Sequence, residues 1–259
     1  MTRIALGIEY DGHEFYGWQA QRGLATIQGS LQEALAKIAD EPIQLICAGR
    51  TDAGVHATGQ VVHFDTQVVR TERAWTLGTN THLPPTIAVR WAQEVDDQFH
   101  ARFSAVSRRY CYIIYNSSVR SAILASRATW YYQSLDSETM HRAGQYLLGE
   151  HDFSSFRSSE CDSKTPMRNV QELSVTRRGD FVILEIQANA FLHHMVRNIA
   201  GVLMHIGSGL QSPEWALQVL LAKDRRCAAE TAAATGLYLV KVNYPDAYVF
   251  PENTILNLE

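Results

Sequence analysis

The strongest constraint on the fold is a change of hydrophobic period that comes early and then recurs. Residues 3–10 (RIALGIEY) alternate like a half-buried strand, and Asp11-Gly12 supplies turn chemistry after them. From Thr26 onward Ile27, Leu31, Leu35 and Ile38 fall at spacings of four, four and three, which draws one stripe along a helix that Pro42 is expected to close. Residues 43–48 (IQLICA) and 59–65 (GQVVHFD) then read as two strands, 71–80 as a second helix, and Ile87 to Val95 as another strand. Strand, helix, strand, strand, helix, strand is the order of a split βαβ unit.

A similar order recurs after residue 105. Residues 109–115 (RYCYIIY) read as a strand, 137–148 as a helix, and 169–175 with 181–187 as a hairpin around Arg178-Gly179-Asp180. The spacing predicts a helix over 191–206, another starting at Pro213, and a closing strand over 237–244. The expected architecture is therefore α+β, with an N-terminal domain over 1–105 and a C-terminal domain over 106–259. No residue-level repeat joins the halves, so the duplication rests on element order.

Composition excludes several classes. Apolar residues at 46% and charged residues at 19% are ordinary for a globular chain, with no low-complexity block. No apolar run approaches the roughly 18 residues of a membrane span, and the first residues run straight into the alternation, so a cytoplasmic protein without membrane attachment is expected. Cys47, Cys111, Cys161 and Cys227 lie far apart with no C-x-x-C pair, which predicts reduced thiols. A net charge of −4 counts against a protein that coats nucleic acid. Yet of the 23 basic residues only Lys37, Lys164, Lys223 and Lys241 are lysine. Arginine suits bidentate phosphate contacts and stacking on bases, and equally suits surface salt bridges.

Chemistry concentrates between the second and third strands. Gly49 and Gly54 bracket Arg50-Thr51-Asp52, so the backbone turns while it presents one carboxylate between an arginine and small residues. A planar ring fits against Asp52 in such a setting, although Asp-Ala-Gly is also plain turn chemistry. Ten histidines invite a metal site, but no H-E-x-x-H or H-x-E with P-C-x-x-C occurs, and His193-His194 on a helix would point about 100° apart. No metal is expected. Glycine-rich phosphate loops are absent as well, so no nucleotide cofactor is expected. Arg197 sits in an otherwise apolar helix, where it either pairs with a partner or snorkels. Tyr110 and Tyr112 share one face of a strand and Cys111 the other.

Taken together, Gly49-Arg50-Thr51-Asp52-Ala53-Gly54-Val55-His56-Ala57 and Phe191-Leu192-His193-His194-Met195-Val196-Arg197-Asn198-Ile199 strongly resemble the TruA family of tRNA pseudouridine synthases. Tyr10-Asp11-Gly12, Phe15-Tyr16-Gly17-Trp18-Gln19, Thr26-Ile27-Gln28-Gly29, Phe99-His100-Ala101-Arg102-Phe103 and Gly236-Leu237-Tyr238-Leu239 extend the match along nearly the whole chain. The resemblance implies two split-βαβ (ferredoxin-like) α+β domains, each with a mostly antiparallel sheet, flanking a basic central cleft in a homodimer. It implies isomerisation of uridine to pseudouridine at positions 38 to 40 of the tRNA anticodon stem-loop, without cofactor or metal. By position, Asp52 matches the catalytic aspartate, Tyr110 the tyrosine that stacks on the target base, and Arg197 the arginine that pairs with the aspartate. Arg50, and less directly Arg102, Arg109 and Arg168, are expected to contact phosphate or ribose.

One departure stands out. Where the family usually reads close to A-G-P-T-A-P-A, this chain has Ala228-Ala229-Glu230-Thr231-Ala232-Ala233-Ala234, without the glycine and both prolines. A different loop geometry is expected there. Two other readings remain: a non-catalytic tRNA-binding chaperone and a histidine-ligated metal hydrolase.

Overall fold

A computed structural model describes residues 1–161 and 163–251 and shows a mixed α+β fold whose strands pair mostly antiparallel. Among the described residues no helix is long and apolar enough to cross a membrane. The chain forms two compact units, one from Met1–Val106 together with the residues from Tyr238 onward, the other from Ser107–Leu237.

In the first unit the chain forms β1 (Thr2–Tyr10), α1 (Ile27–Ala39), β2 (Ile46–Cys47), β3 (His56–Thr66) and β4 (Ile87–Val95). Strand β1 is central and antiparallel to both neighbours, with Leu6 opposite Val62 of β3 and Ala92 of β4. It is buried more fully than alternation predicts: Ile4, Ala5, Leu6 and Ile8 are all in the core. The Trp91 indole lies against Gly7 and stacks on Phe250, which covers the strand where no side chain projects.

Helix α1 buries Ile27, Leu31 and Leu35 of the stripe read from the sequence, with Ala34 and Ala39, while Ile38 is only half-buried; each buried large aliphatic contributes about 1.5–3 kcal/mol. The Thr26 hydroxyl caps it by accepting the Gly29 N–H. It ends before Pro42, at Asp40 in the left-handed conformation. Part of the expected 71–80 helix is wound as a π-helix over Ala74–Gly78, with Trp75 packed edge-on against Phe64. The expected strand 43–48 shrinks to β2 because the Leu45 carbonyl is taken by the Gln28 amide of α1.

The second unit contains β5 (Ser107–Asn116), β6 (Thr129–Tyr131), α2 (Ser137–Gln145), β7 (Gly149–Asp152), β8 (Met167–Arg178), β9 (Phe181–Ala188), α3 (Met195–Gly207) and α4 (Trp215–Ala222). Its strands lie in the order β6-β5-β9-β8-β7, all antiparallel except β6 beside β5. The β8–β9 hairpin turns at Gly179, as its sequence suggests. Helix α3 begins at Met195 rather than Phe191, because His194 has φ 63° and cannot continue a right-handed helix. His193 and His194 therefore precede the helix, and their rings converge to 4.0 Å between centroids instead of diverging. Pro213 likewise lies in the turn before α4 rather than inside it.

The last strand, β10 (Leu237–Asn243), departs from the domain boundaries expected from sequence. It pairs parallel with β3, Tyr238 opposite His56, so the residues from Tyr238 belong with the first unit rather than with 106–259. Tyr244, Tyr248 and Phe250 then close an aromatic cluster around the buried Phe99. Residues 252–259, included in that expected domain, lie outside the described residues.

Candidate functional site

Asp52 occupies the connection between β2 and β3, which hydrogen bonds within the first unit hold in shape. The Val55 N–H donates to the Asp52 carbonyl at 3.2 Å, closing a turn whose third residue, Gly54, has φ 79°, the position where a type II turn needs glycine. Trp18 N–H donates to the Thr51 carbonyl at 3.0 Å, and the buried Thr51 hydroxyl lies 2.7 Å from Tyr10 Oη. The Gln60 amide donates to the Gly49 carbonyl at 2.7 Å. At the far end the Gly12 N–H meets His56 Nδ1 at 3.1 Å, and His56 stacks on Tyr238. Pinned on both sides, the turn leaves the Asp52 side chain half-buried and Arg50 exposed.

Cys47, at the head of this connection, is no rival nucleophile. Burial pushes its thiol up to about 11 despite the opposing charge of Arg50, so it stays protonated at neutral pH. All four cysteines are free.

In the second unit Tyr110 is a buried residue of β5, its ring 4.9 Å from that of Phe191 and nearly perpendicular to it. That edge-to-face contact holds the aromatic plane in one orientation. Arg197 lies in the first turn of α3 and donates from Nε to the Ala232 carbonyl at 2.8 Å, while the Ala232 N–H returns a bond to the Arg197 carbonyl at 3.2 Å. Its guanidinium is thus docked against a fixed backbone segment.

The other arginines divide. Arg109 lies 3.2 Å from Glu185 and 4.0 Å from Glu172. Arg168 is buried, gives its Nη atoms to the carbonyls of Thr165 and Met167 and to the Ser163 hydroxyl, and loses basicity to burial. Both take part in internal ion pairs or hydrogen bonds. Arg102 lies over the exposed Phe103 ring.

Sequence reasoning missed residues that shape these sites from behind. Tyr10 and Gln60 hold the Asp52 turn; the sequence shows Tyr10 only as part of the Tyr10-Asp11-Gly12 match, and Gln60 only as a strand residue. Tyr112, one strand period from Tyr110, is fully buried and donates to the Ala233 carbonyl at 2.8 Å; burial pushes its phenol well above the usual range.

The departing segment 228–234 is ordered by these side-chain bonds although it lacks proline. Ala233 has φ −57° and ψ 153°, already the geometry of proline, and it is exposed. Ala233→Pro should therefore stabilise the protein by about 0.4–1 kcal/mol by restricting the unfolded chain. Chemical denaturation checks this, and a lower midpoint at unchanged slope would refute it.

A sequence profile of tRNA pseudouridine synthases matches residues 7–104 and 143–245, spans that include Asp52 and Arg197. The chain is 58% identical over 250 residues to tRNA pseudouridine synthase A of Aeromonas salmonicida, covering 96% of this chain and 93% of that protein. It is 59% identical over 249 residues to the protein of the same name from Photorhabdus laumondii, covering 96% and 94%. The corresponding protein of Escherichia coli K12 is 58% identical over 250 residues, covering 96% and 93%. Matches of this length and identity, over the pinned aspartate turn and the docked arginine alike, show that the chain belongs to the tRNA pseudouridine synthase family.

Proposed function

We propose that this isomerase, which converts uridine to pseudouridine in tRNA, acts at positions 38, 39 and/or 40 of the anticodon stem-loop with Asp52 as its essential carboxylate and no cofactor. The observation that carries the proposal is the Asp52 turn. Its backbone is fixed by Tyr10, Trp18, Gln60 and Val55, and it holds the carboxylate half-buried between Thr51 and Ala53.

The reaction breaks the bond from ribose C1′ to uracil N1, turns the base and joins C1′ to C5. The proton leaves C5 and N1 regains one, with no net redox change. A carboxylate serves this sequence by attack at C1′, by addition at C6, or by removing the C2′ proton. Tyr110 supplies a stacking plane for the extruded base, Arg197 supplies positive charge for the aspartate, and Arg50 contacts the RNA backbone. Stacking offsets part of the few kcal/mol needed to extrude a base.

In the same reading each unit is a split-βαβ module and the chain works as a homodimer in the cytoplasm. The β4-β1-β3 order of the first unit, with β2 on the outer side of β3, supports the module.

The test is to incubate the protein with unmodified tRNA in EDTA and map pseudouridine chemically. Product at positions 38 to 40 is expected. Binding without product, or loss of activity to the chelator, would overturn the proposal in favour of a chaperone or a metal enzyme. Stacking has its own check. Tyr110→Phe should keep most RNA affinity while Tyr110→Ala loses about 1–3 kcal/mol, measured by filter binding at fixed salt. Equal binding by the two variants would exclude it.

A further inference from the structure

Asn198 follows Arg197 on α3, is fully buried, and has its amide spent on three bonds. Its Nδ2 donates to the Phe156 carbonyl at 2.8 Å. Its Oδ1 accepts from the Thr231 hydroxyl at 2.7 Å and from Arg225 Nη2 at 3.1 Å. The same Arg225 nitrogen reaches Thr231 Oγ1 at 3.0 Å, closing a triangle of three side chains. The next residue after Thr231 is Ala232, whose carbonyl receives Arg197 Nε. One residue further, the Ala233 carbonyl receives Tyr112 Oη.

The backbone from 231 to 233 is thus fastened at successive residues by Asn198, Arg197 and Tyr112. Glu230 lies so close to α3 that a Cβ at Gly201 would come within 2.2 Å of its carbonyl oxygen. In a segment without the prolines that restrict its conformation elsewhere in the family, side-chain bonds supply the rigidity.

We propose that Thr231 and Asn198 are positioning residues, and that they set the direction of the Arg197 guanidinium by fixing the carbonyl it donates to. This rests on the role given to Arg197 above. Arg225 completes the triangle by donating to both. Neither positioning residue need touch RNA for the proposal to hold.

The test uses Thr231→Val, which keeps the side-chain shape and removes the hydroxyl, because a change at the buried Asn198 risks the fold. Its kcat on unmodified tRNA should fall about tenfold with KM changed less than twofold and Tm nearly unchanged. Thr231→Ser should restore kcat. In an Arg197→Lys background, Thr231→Val should cause little further loss, since the group it positions is already replaced. Wild-type kcat in Thr231→Val, failure of serine to rescue, or full additivity with Arg197→Lys would each overturn the proposal. Full activity in Arg197→Lys alone would instead strike the role of Arg197, and so separates the two failures.

Discussion

Asp52→Asn should lower pseudouridine formation at least about a thousandfold while leaving tRNA binding and the fold in place. An amide has nearly the shape of a carboxylate but carries no negative charge, so it neither attacks carbon nor accepts a proton at useful rates. Loss of a nucleophile or general base removes roughly 10²–10⁴ in rate, and a thousandfold is about 4 kcal/mol of activation free energy. The structure explains why the fold should survive. Bonds to the carbonyls of Gly49, Thr51 and Asp52 and to the Thr51 hydroxyl, none of which uses an atom changed by the substitution, help to hold this turn. Single-turnover assays on unmodified tRNA, beside a binding isotherm, give the reading. Parent-like turnover by the amide variant would end the assignment of Asp52.

Gly12→Ala should damage the protein more broadly. A Cβ at Gly12 would lie 1.9 Å from the Val55 carbonyl oxygen, a backbone atom that has no rotamer with which to retreat. Val55 immediately precedes β3 and closes the Asp52 turn, so the displacement passes directly to the carboxylate. Overpacking of this kind costs about 1–3 kcal/mol, and a 1 Å misplacement of a reacting group costs roughly a hundredfold in rate. Gly23→Ala provides the contrast. Its φ is 78° but nothing lies within 4 Å of a Cβ there, so it should pay only a backbone penalty of about 1 kcal/mol and keep its activity. Comparable activity in the two alanine variants would mean that the Asp52 turn tolerates movement.

Local chemistry was legible in this sequence wherever one residue type had to be present. The α1 stripe, the Thr26 cap and the β8–β9 turn all follow from spacing and side-chain identity. What escaped depended on distant partners. The Leu45 carbonyl leaves the ladder for Gln28, and His194 adopts a left-handed conformation inside an apolar run that reads as helix. Neither leaves a periodic trace. In the site, Asp52 and Arg197 stand out by their place in motifs shared with the family, because Asp-Ala-Gly alone is also turn chemistry and an arginine on an apolar helix can simply snorkel. Asn198, Tyr112 and Gln60 look like ordinary core or strand residues until the carbonyls they bind, many positions away, are brought beside them.

The parallel seat of β10 beside β3 bears on how the protein comes into being. A ribosome delivers β3 long before it delivers Tyr238, the ring on which His56 stacks next to the aspartate turn. Until Tyr238 emerges, the growing polypeptide holds a β3 edge without its β10 partner and an Asp52 turn without one of its supports. The Asp52 turn therefore gains this support only once β10 has been made, and a product that stops before Tyr238 would carry the aspartate without the ring on which His56 rests.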